Sequence, residues 1–297
     1  AGACLAAAGR AGGGETALRA AAPTRRMGDG ISQVIYIVRH GDKYSSYPRC
    51  KPGEDPMNGS MCFDDEAMGD NPPLTECGVR QANHTAGWIM DQAAERGIQH
   101  IVASPFTRTL MTSLALSRLL GKLIEVEYLL SEARQPEGPY RPFNVELPAF
   151  AVSQLEEVEE MWDPSYGSSP IKTPEDTTLY NQRVAKMAQV LKVRFPPASG
   201  DLAVFTHATT SFSLAYGLCS NLFASLQEFV DSMPAIAPAG VIVVTIDGKG
   251  HCTNLTQTQN VAEVVECGET EPYKCEFADS PNWYWEDPLG SGPDKCH

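Results

Sequence analysis

Short apolar runs that alternate with helix-like segments constrain the fold of this chain most strongly. Five runs are rich in β-branched residues and too short for helices, which is typical of strands buried on both faces: 34–38, 98–103, 123–126, 202–205 and 241–246. Between them, apolar residues recur at helical spacing over 75–97, 107–120, 175–195 and 207–225. This alternation predicts an α/β fold of three layers, in which helices cover both faces of a mostly parallel central sheet.

The chain divides into three parts by composition. Residues 31–250 carry the strand and helix signals and form the predicted catalytic domain, with aperiodic, proline-rich insertions at 43–73 and 134–174. Residues 1–30 are rich in Ala, Gly and Arg and are expected to be a disordered leader, a transit segment, or sequence upstream of a start at Met27. Residues 251–297 are acidic, contain Cys and Trp, and are expected to form a tail.

Charge and cysteine content exclude several classes of function. The net charge of −14 disfavours non-specific binding to nucleic acid or anionic lipid. No stretch approaches the roughly 18 apolar residues that a membrane span requires. The nine cysteines are irregularly spaced and indicate no disulfide framework, although four lie beyond position 250 and leave room for one or two late bridges. No C-x-x-C pair or clustered His, Asp and Glu set indicates a metal site.

The compartment and the oligomeric state are not decided by the sequence. A cytoplasmic location is favoured, and organelle targeting and secretion are the alternatives. Three N-glycosylation sequons, at Asn58, Asn83 and Asn254, are only a faint indication of secretion, because one such match is expected by chance.

Residues suited to phosphate chemistry follow three of the predicted strands. Arg39 and His40 end the first, the segment from Ser104 to Arg108 ends the second, and His207 ends the fourth. Ligands of open parallel sheets bind beyond the carboxyl ends of the strands. Arginine offers a planar cationic fork that matches phosphate oxygens, and a neutral imidazole can attack phosphorus. A lone histidine at a strand end is usually structural. The prediction of phosphate chemistry therefore depends on finding suitable residues at three strand ends.

The order of these motifs resembles the histidine phosphatase superfamily, in the branch that includes cofactor-dependent phosphoglycerate mutase. The similar segments are Val38-Arg39-His40-Gly41; Pro73-Leu74-Thr75 with Gly78, Gln81 and Ala82; Ala103-Ser104-Pro105 with Arg108 and Thr112; Glu175 with Arg183; and Phe205-Thr206-His207. Each match is short, but five in the family's order span about 34 to 246. The resemblance therefore implies a phosphoglycerate mutase-like fold over most of the chain.

The resemblance also implies a role for each site residue. His40 would attack phosphorus and become phosphohistidine, while Arg39, Arg108 and a protonated His207 would hold the phosphoryl oxygens. Glu132 falls where the family carries its acid/base carboxylate. The residues after Glu132 depart from the mutase pattern, and two other carboxylates are alternatives: Glu137 and Glu146. The remaining histidines that match no motif are expected to be structural or at the surface: His84, His100 and His251.

The expected activity is hydrolysis of phosphomonoesters, either a small phosphorylated metabolite or a phosphopeptide, without a cofactor or metal. A phosphoglycerate mutase-type phosphotransferase is the alternative. It is disfavoured because Asp42-Lys43-Tyr44 and Ala133-Arg134-Gln135 replace two mutase segments. A catalytically silent interaction module of the same fold is a further alternative, against which the presence of all four Arg and His residues weighs.

Overall fold

The computed structural model describes residues 32–43, 71–132, 149–168 and 175–258. Its strands are β1 (Gln33–Arg39), β2 (Ile98–Ala103), β3 (Ile124–Val126), β4 (Asp201–Thr206), β5 (Val241–Ile246) and β6 (Cys252–Thr258). Its α-helices are α1 (Glu76–Gln92), α2 (Thr107–Leu120), α3 (Ala149–Met161), α4 (Thr177–Arg194), α5 (Ala208–Cys219) and α6 (Leu226–Ser232). Short 3₁₀ helices cover Tyr128–Leu130, Pro197–Ser199 and Ser220–Leu222.

The described strands form one mixed sheet in the order β3-β2-β4-β1-β5-β6. The pairs β2–β3, β2–β4 and β1–β4 are parallel, whereas β1–β5 and β5–β6 are antiparallel. The four parallel strands therefore end at the same edge of the sheet. The polar residues that follow β1, β2 and β4 in the sequence lie at this edge.

Alternate residues of the central strands pack into two hydrophobic cores, one on each face. Ile35 and Ile37 of β1 face a core that includes residues of α4, α5 and α6. This is the first core. Tyr36 and Val38, which point the other way, join a second core that includes residues of α1 and α2. The predicted three-layer α/β arrangement is confirmed, and the sheet is mostly parallel on the side that carries the site residues.

Two segments contain regular structure that the sequence did not predict. The tail predicted from residue 251 begins instead as strand β6, whose residues from Cys252 to Thr258 pair with β5. The insertion at 134–174 contains helix α3, where Val158 is buried against the second core while Glu156, Glu159 and Glu160 face solvent. Residues 1–30 and most of the insertion at 43–73 lie outside the described residues.

A disulfide joins the two ends of the region between α5 and β6. Cys219, the last residue of α5, bonds Cys252, the first residue of β6, and both are buried. Cys77 in α1 is also disulfide-bonded. The sequence left room for a late bridge, but it gave no sign of a partner as early as Cys219. Among the described helices, none combines the length and apolarity needed to cross a membrane.

Candidate active site

Backbone hydrogen bonds carry the sheet geometry past the strand ends and bring the predicted residues together. His40 N donates to Thr206 O at 2.9 Å, and Ser104 N donates to Phe205 O at 2.9 Å. These bonds align the residues that follow β1, β2 and β4. The ring centroids of His40 and His207 consequently lie 5.4 Å apart.

The His40 ring is oriented by its own loop. Its Nδ1 lies 2.7 Å from Gly41 O, and since a carbonyl oxygen only accepts, Nδ1 carries the proton of the neutral ring. The ring is buried, at 3% exposure. Its Nε2 is therefore the nitrogen with the available lone pair in the neutral form.

His207 is held by Ser104 and by an aromatic ring. Its Nε2 lies 2.9 Å from Ser104 Oγ, and the ring of Phe106 meets it edge-on with centroids 4.7 Å apart. The Nδ1 atom of His207 is buried, makes no hydrogen bond within the described residues, and lies 3.5 Å from Glu132 Oε2. Nδ1 is thus the nitrogen of His207 that faces Glu132.

Arg108 brings a fixed positive charge to the same point. Helix α2 begins one residue before it, and its side chain is 1% exposed with its Cζ 4.3 Å from the centroid of the Phe106 ring. Its Nη2 donates to Glu132 Oε2, and the Glu132 side chain remains one-third exposed. Arg108, Glu132 and His207 therefore share one polar cluster that is open to solvent on the Glu132 side.

Arg183 anchors the loop that ends in Glu132. Its Nη1 donates to the carbonyls of Leu129 and Ser131, both at 2.8 Å, and its Nη2 donates to Glu132 O at 3.2 Å. Its remaining donors bond the Glu175 carboxylate at 2.7 to 2.9 Å, and both side chains of this ion pair are 5% exposed. The pair therefore fixes the backbone of residues 129–132 from inside the core.

The His40 loop lies directly against the start of α1, and two glycines permit this contact. A Cβ on Gly78 would lie 2.1 Å from Asp42 O, and one on Gly41 would lie 2.6 Å from Gly78 O. Thr75, the N-cap of α1, donates through its hydroxyl to Asp42 Oδ2 at 2.7 Å. No side chain larger than glycine fits at these positions without moving the loop that carries His40.

The electrostatics of the cluster favour neutral imidazoles and an ionised carboxyl. Burial, followed by the charge of Arg108, lowers the pKa of His40 and of His207 well below 6.5. Burial by itself would raise the pKa of Glu132, but the charges of Arg108 and Lys43 outweigh it and hold that pKa at about 2. The site is therefore locally cationic within a chain of net charge −14.

The model of the histidine phosphatase superfamily, branch 1, matches residues 35–257. This range spans most of the chain and contains all the site residues described above. The chain belongs to the histidine phosphatase superfamily. Comparison with curated protein sequences yields no match.

Solved structures with the superfamily's fold are similar to this chain at low identity. The ecdysone phosphate phosphatase of Bombyx mori, solved with tungstate, has 16% identity and a TM-score of 0.50, covering 77% of this chain and 93% of that chain. A phosphoglycerate mutase of Bacillus anthracis has 16% identity and a TM-score of 0.49, covering 80% and 96%. A mycobacterial glucosyl-3-phosphoglycerate phosphatase solved with VO3 has 16% identity and a TM-score of 0.42, covering 71% and 92%.

The structure of this superfamily member places most of the predicted site residues at one edge of the sheet. His40, Arg108, Glu132 and His207 surround a common point, while the Nη1 atom of Arg39 donates to Ile236 O at 2.6 Å. The alternative carboxylates Glu137 and Glu146 lie outside the described residues. His84 and His251 are exposed, and His100 bonds Glu125 at 2.8 Å.

Three contributors to the site were missed at the level of sequence. Ser104 and Phe106 orient His207, and Arg183 anchors the Glu132 loop. All three lie within or beside the quoted motifs, so their positions were visible but their partners were not.

Within the described residues, no group of three or more His, Cys, Asp or Glu side chains is arranged to hold a metal ion.

Proposed function

We propose that this histidine phosphatase hydrolyses phosphomonoesters through a phosphohistidine formed on His40. The observation that carries the proposal is the bond from His40 Nδ1 to Gly41 O, which leaves the Nε2 lone pair available on a buried, neutral ring beside the charges of Arg108, Arg39 and Lys43. A nucleophile of this kind forms a bond to phosphorus while the ester oxygen leaves in line.

The cationic cluster supports the phosphoryl group during transfer. Arg108 supplies a planar guanidinium fixed against Phe106, Arg39 adds charge from β1, and the buried Nδ1 of His207 is a donor for one phosphoryl oxygen. Phosphoryl transfer depends mainly on positioning and on such preorganised charge. Removal of one preorganised donor is expected to lower the rate by about 10² to 10³-fold.

The bound phosphoryl group changes the protonation of its neighbours. Two negative charges between the rings oppose the effect of Arg108 and raise the pKa of His207, so that the protonated form implied by the resemblance belongs to the complex. The same group competes for Arg108 and thereby raises the pKa of Glu132 above about 2.

Glu132 is proposed as the acid and base of the two steps. In the first step its proton passes to the leaving ester oxygen, and the carboxylate that remains takes a proton from water as that water attacks phosphohistidine. Its one-third exposure gives a water molecule access to it. The departures from two mutase segments, at Asp42-Lys43-Tyr44 and Ala133-Arg134-Gln135, support hydrolysis over the long-lived phosphoenzyme that a mutase requires.

A substrate panel tests the proposal. The purified chain is expected to hydrolyse para-nitrophenyl phosphate, glycerol phosphate and phosphotyrosine, and His40→Ala is expected to have no activity above the blank. His84→Ala is the matched control, because His84 is exposed on α1 and is expected to retain full activity.

Trapping the phosphoenzyme distinguishes the proposed hydrolysis from the mutase and the silent-module alternatives. Rapid quenching in base after mixing with radiolabelled substrate is expected to recover acid-labile phosphohistidine in a peptide containing His40. Activity that survives His40→Ala would refute the nucleophile. A stable phosphoenzyme with a preference for bisphosphates would indicate a mutase instead, and an inactive wild-type chain would indicate the silent module.

A further inference from the structure

The edge strand β6 carries a sequon that the fold does not explain. Asn254 and Thr256 are exposed, while Leu255 between them packs against the first core. The side chains of Asn254 and Thr256 make no hydrogen bond with another described residue. Asparagine is depleted in strands, so a structural role does not account for Asn254 at this position.

Two other threonines, Thr85 and Thr258, differ from Thr256 because their side chains make hydrogen bonds. In the sequon at Asn83, Thr85 is buried and its Oγ1 donates to Ala239 O at 2.8 Å. In β6, Thr258 Oγ1 donates to Val241 O at 3.0 Å. The fold therefore explains Thr85 and Thr258 but not Thr256. The third sequon, at Asn58, lies outside the described residues.

The disulfide next to this sequon is an independent observation. Cys252 lies two residues before Asn254 and is bonded to Cys219, and Cys77 is disulfide-bonded as well. Structural disulfides form and persist in oxidising compartments and are rare in the cytosol. In eukaryotic cells the oxidising lumen of the secretory pathway is also where oligosaccharides are transferred to Asn-X-Ser/Thr.

We propose that Asn254 is an N-glycan acceptor on a chain that matures in an oxidising secretory compartment. This departs from the cytoplasmic location favoured by the sequence. It also places a bulky hydrophilic group on β6, the outermost strand of the sheet formed by the described residues, where such a group would oppose pairing with strands of other molecules.

Both covalent steps have defined partners. In glycan transfer, the Asn254 Nδ2 atom forms a bond to C1 of the reducing sugar, the C1–O bond to a lipid diphosphate carrier breaks, and the amide proton leaves with the diphosphate. In bridge formation, the thiols of Cys219 and Cys252 lose two protons and two electrons to a disulfide oxidoreductase, whose own disulfide is reduced to a dithiol.

The test expresses the full chain behind a cleavable signal peptide in eukaryotic cells. Peptide N-glycosidase F converts a glycosylated asparagine to aspartate, which mass spectrometry detects at Asn254. Thr256→Val and Asn254→Gln are expected to abolish this conversion, whereas Thr256→Ser keeps the sequon and is expected to retain it. Non-reducing peptide mapping is expected to recover Cys219 linked to Cys252.

Cell-retained and secreted fractions are both analysed, because the glycan is attached before folding is complete. Unmodified Asn254 in both fractions, beside a glycosylated co-expressed reference protein, would overturn the acceptor assignment. Free Cys219 and Cys252 thiols would overturn the oxidised maturation. Phosphatase assays on Thr256→Val keep the proposals distinct, since the loss of the glycan is expected to leave hydrolysis unchanged.

Discussion

Replacing Arg183 with methionine separates the contribution of this side chain to stability from its contribution to catalysis. The substitution leaves the Glu175 carboxylate, 5% exposed, without its partner and removes the donors to the carbonyls of Leu129, Ser131 and Glu132. Removing one partner of a buried ion pair costs about 3–5 kcal/mol. We expect the free energy of unfolding, measured in urea, to fall by that amount.

The double variant Arg183→Met/Glu175→Leu is expected to recover at least about 2 kcal/mol of this loss, because no unpaired charge remains buried. Its kcat is not expected to recover with its stability. Residues 129–132 would still lack their anchor, and a displacement of Glu132 by about 1 Å lowers the rate by about 100-fold.

The assay compares urea unfolding and kcat for para-nitrophenyl phosphate in the wild type, the single variant and the double variant. Arg194→Met is the matched control. Arg194 is also on α4, but it stacks over the Tyr166 ring at 3.7 Å and is expected to affect kcat little. If kcat returns with stability in the double variant, the ion pair serves only the fold, and the positioning argument is refuted.

Three further predictions follow from the structure. Because the pKa values of buried His40 and His207 lie well below 6.5, the unfolded chain binds more protons below about pH 6.5, and the free energy of unfolding should fall there by up to about 1.4 kcal/mol per pH unit for each ring. Urea titrations between pH 5 and 7 check this, and an unchanged slope in His40→Asn/His207→Asn would contradict it. Gly78→Ala should lower the stability by about 3 kcal/mol and reduce kcat, since its Cβ meets Asp42 O at 2.1 Å; wild-type values for both would show that this contact is not restrictive. Cys219→Ala, which opens a bridge across a sequence separation of 33, should lower the oxidised chain's free energy of unfolding by about 4 kcal/mol, whereas a cost below about 1 kcal/mol would show that the bridge is dispensable.

The sequence predicted the central part of the fold because its strands are buried on both faces. The run from Val34 to Val38 is apolar throughout, and the structure extends it by only one residue at each end. Strand β6 was missed for the opposite reason. It lies at the edge of the sheet, so most of its side chains are polar and its pairing with β5 defines it as a strand.

Helix α3 was missed although its residues are good helix formers. Its sequence contains Ala, Gln, Leu, Glu and Met, which favour helix, but the surrounding prolines and the acidic run suggested an irregular segment. Burial of Val158 against the second core accounts for the side of the helix that faces the protein. Local propensity, weighed separately from flanking composition, would have predicted this helix.

The sequence by itself determined which residue types stand at the ends of the parallel strands, because each buried strand is a continuous apolar run that stops where polar residues begin. It placed Arg39, His40 and His207 in one neighbourhood. Only the tertiary structure decided which atoms meet there: the His40 nitrogen that remains unprotonated, the bond of Ser104 to His207, and the anchoring by Arg183. These contacts join residues more than 50 positions apart or depend on one ring's orientation, and no local pattern specifies either.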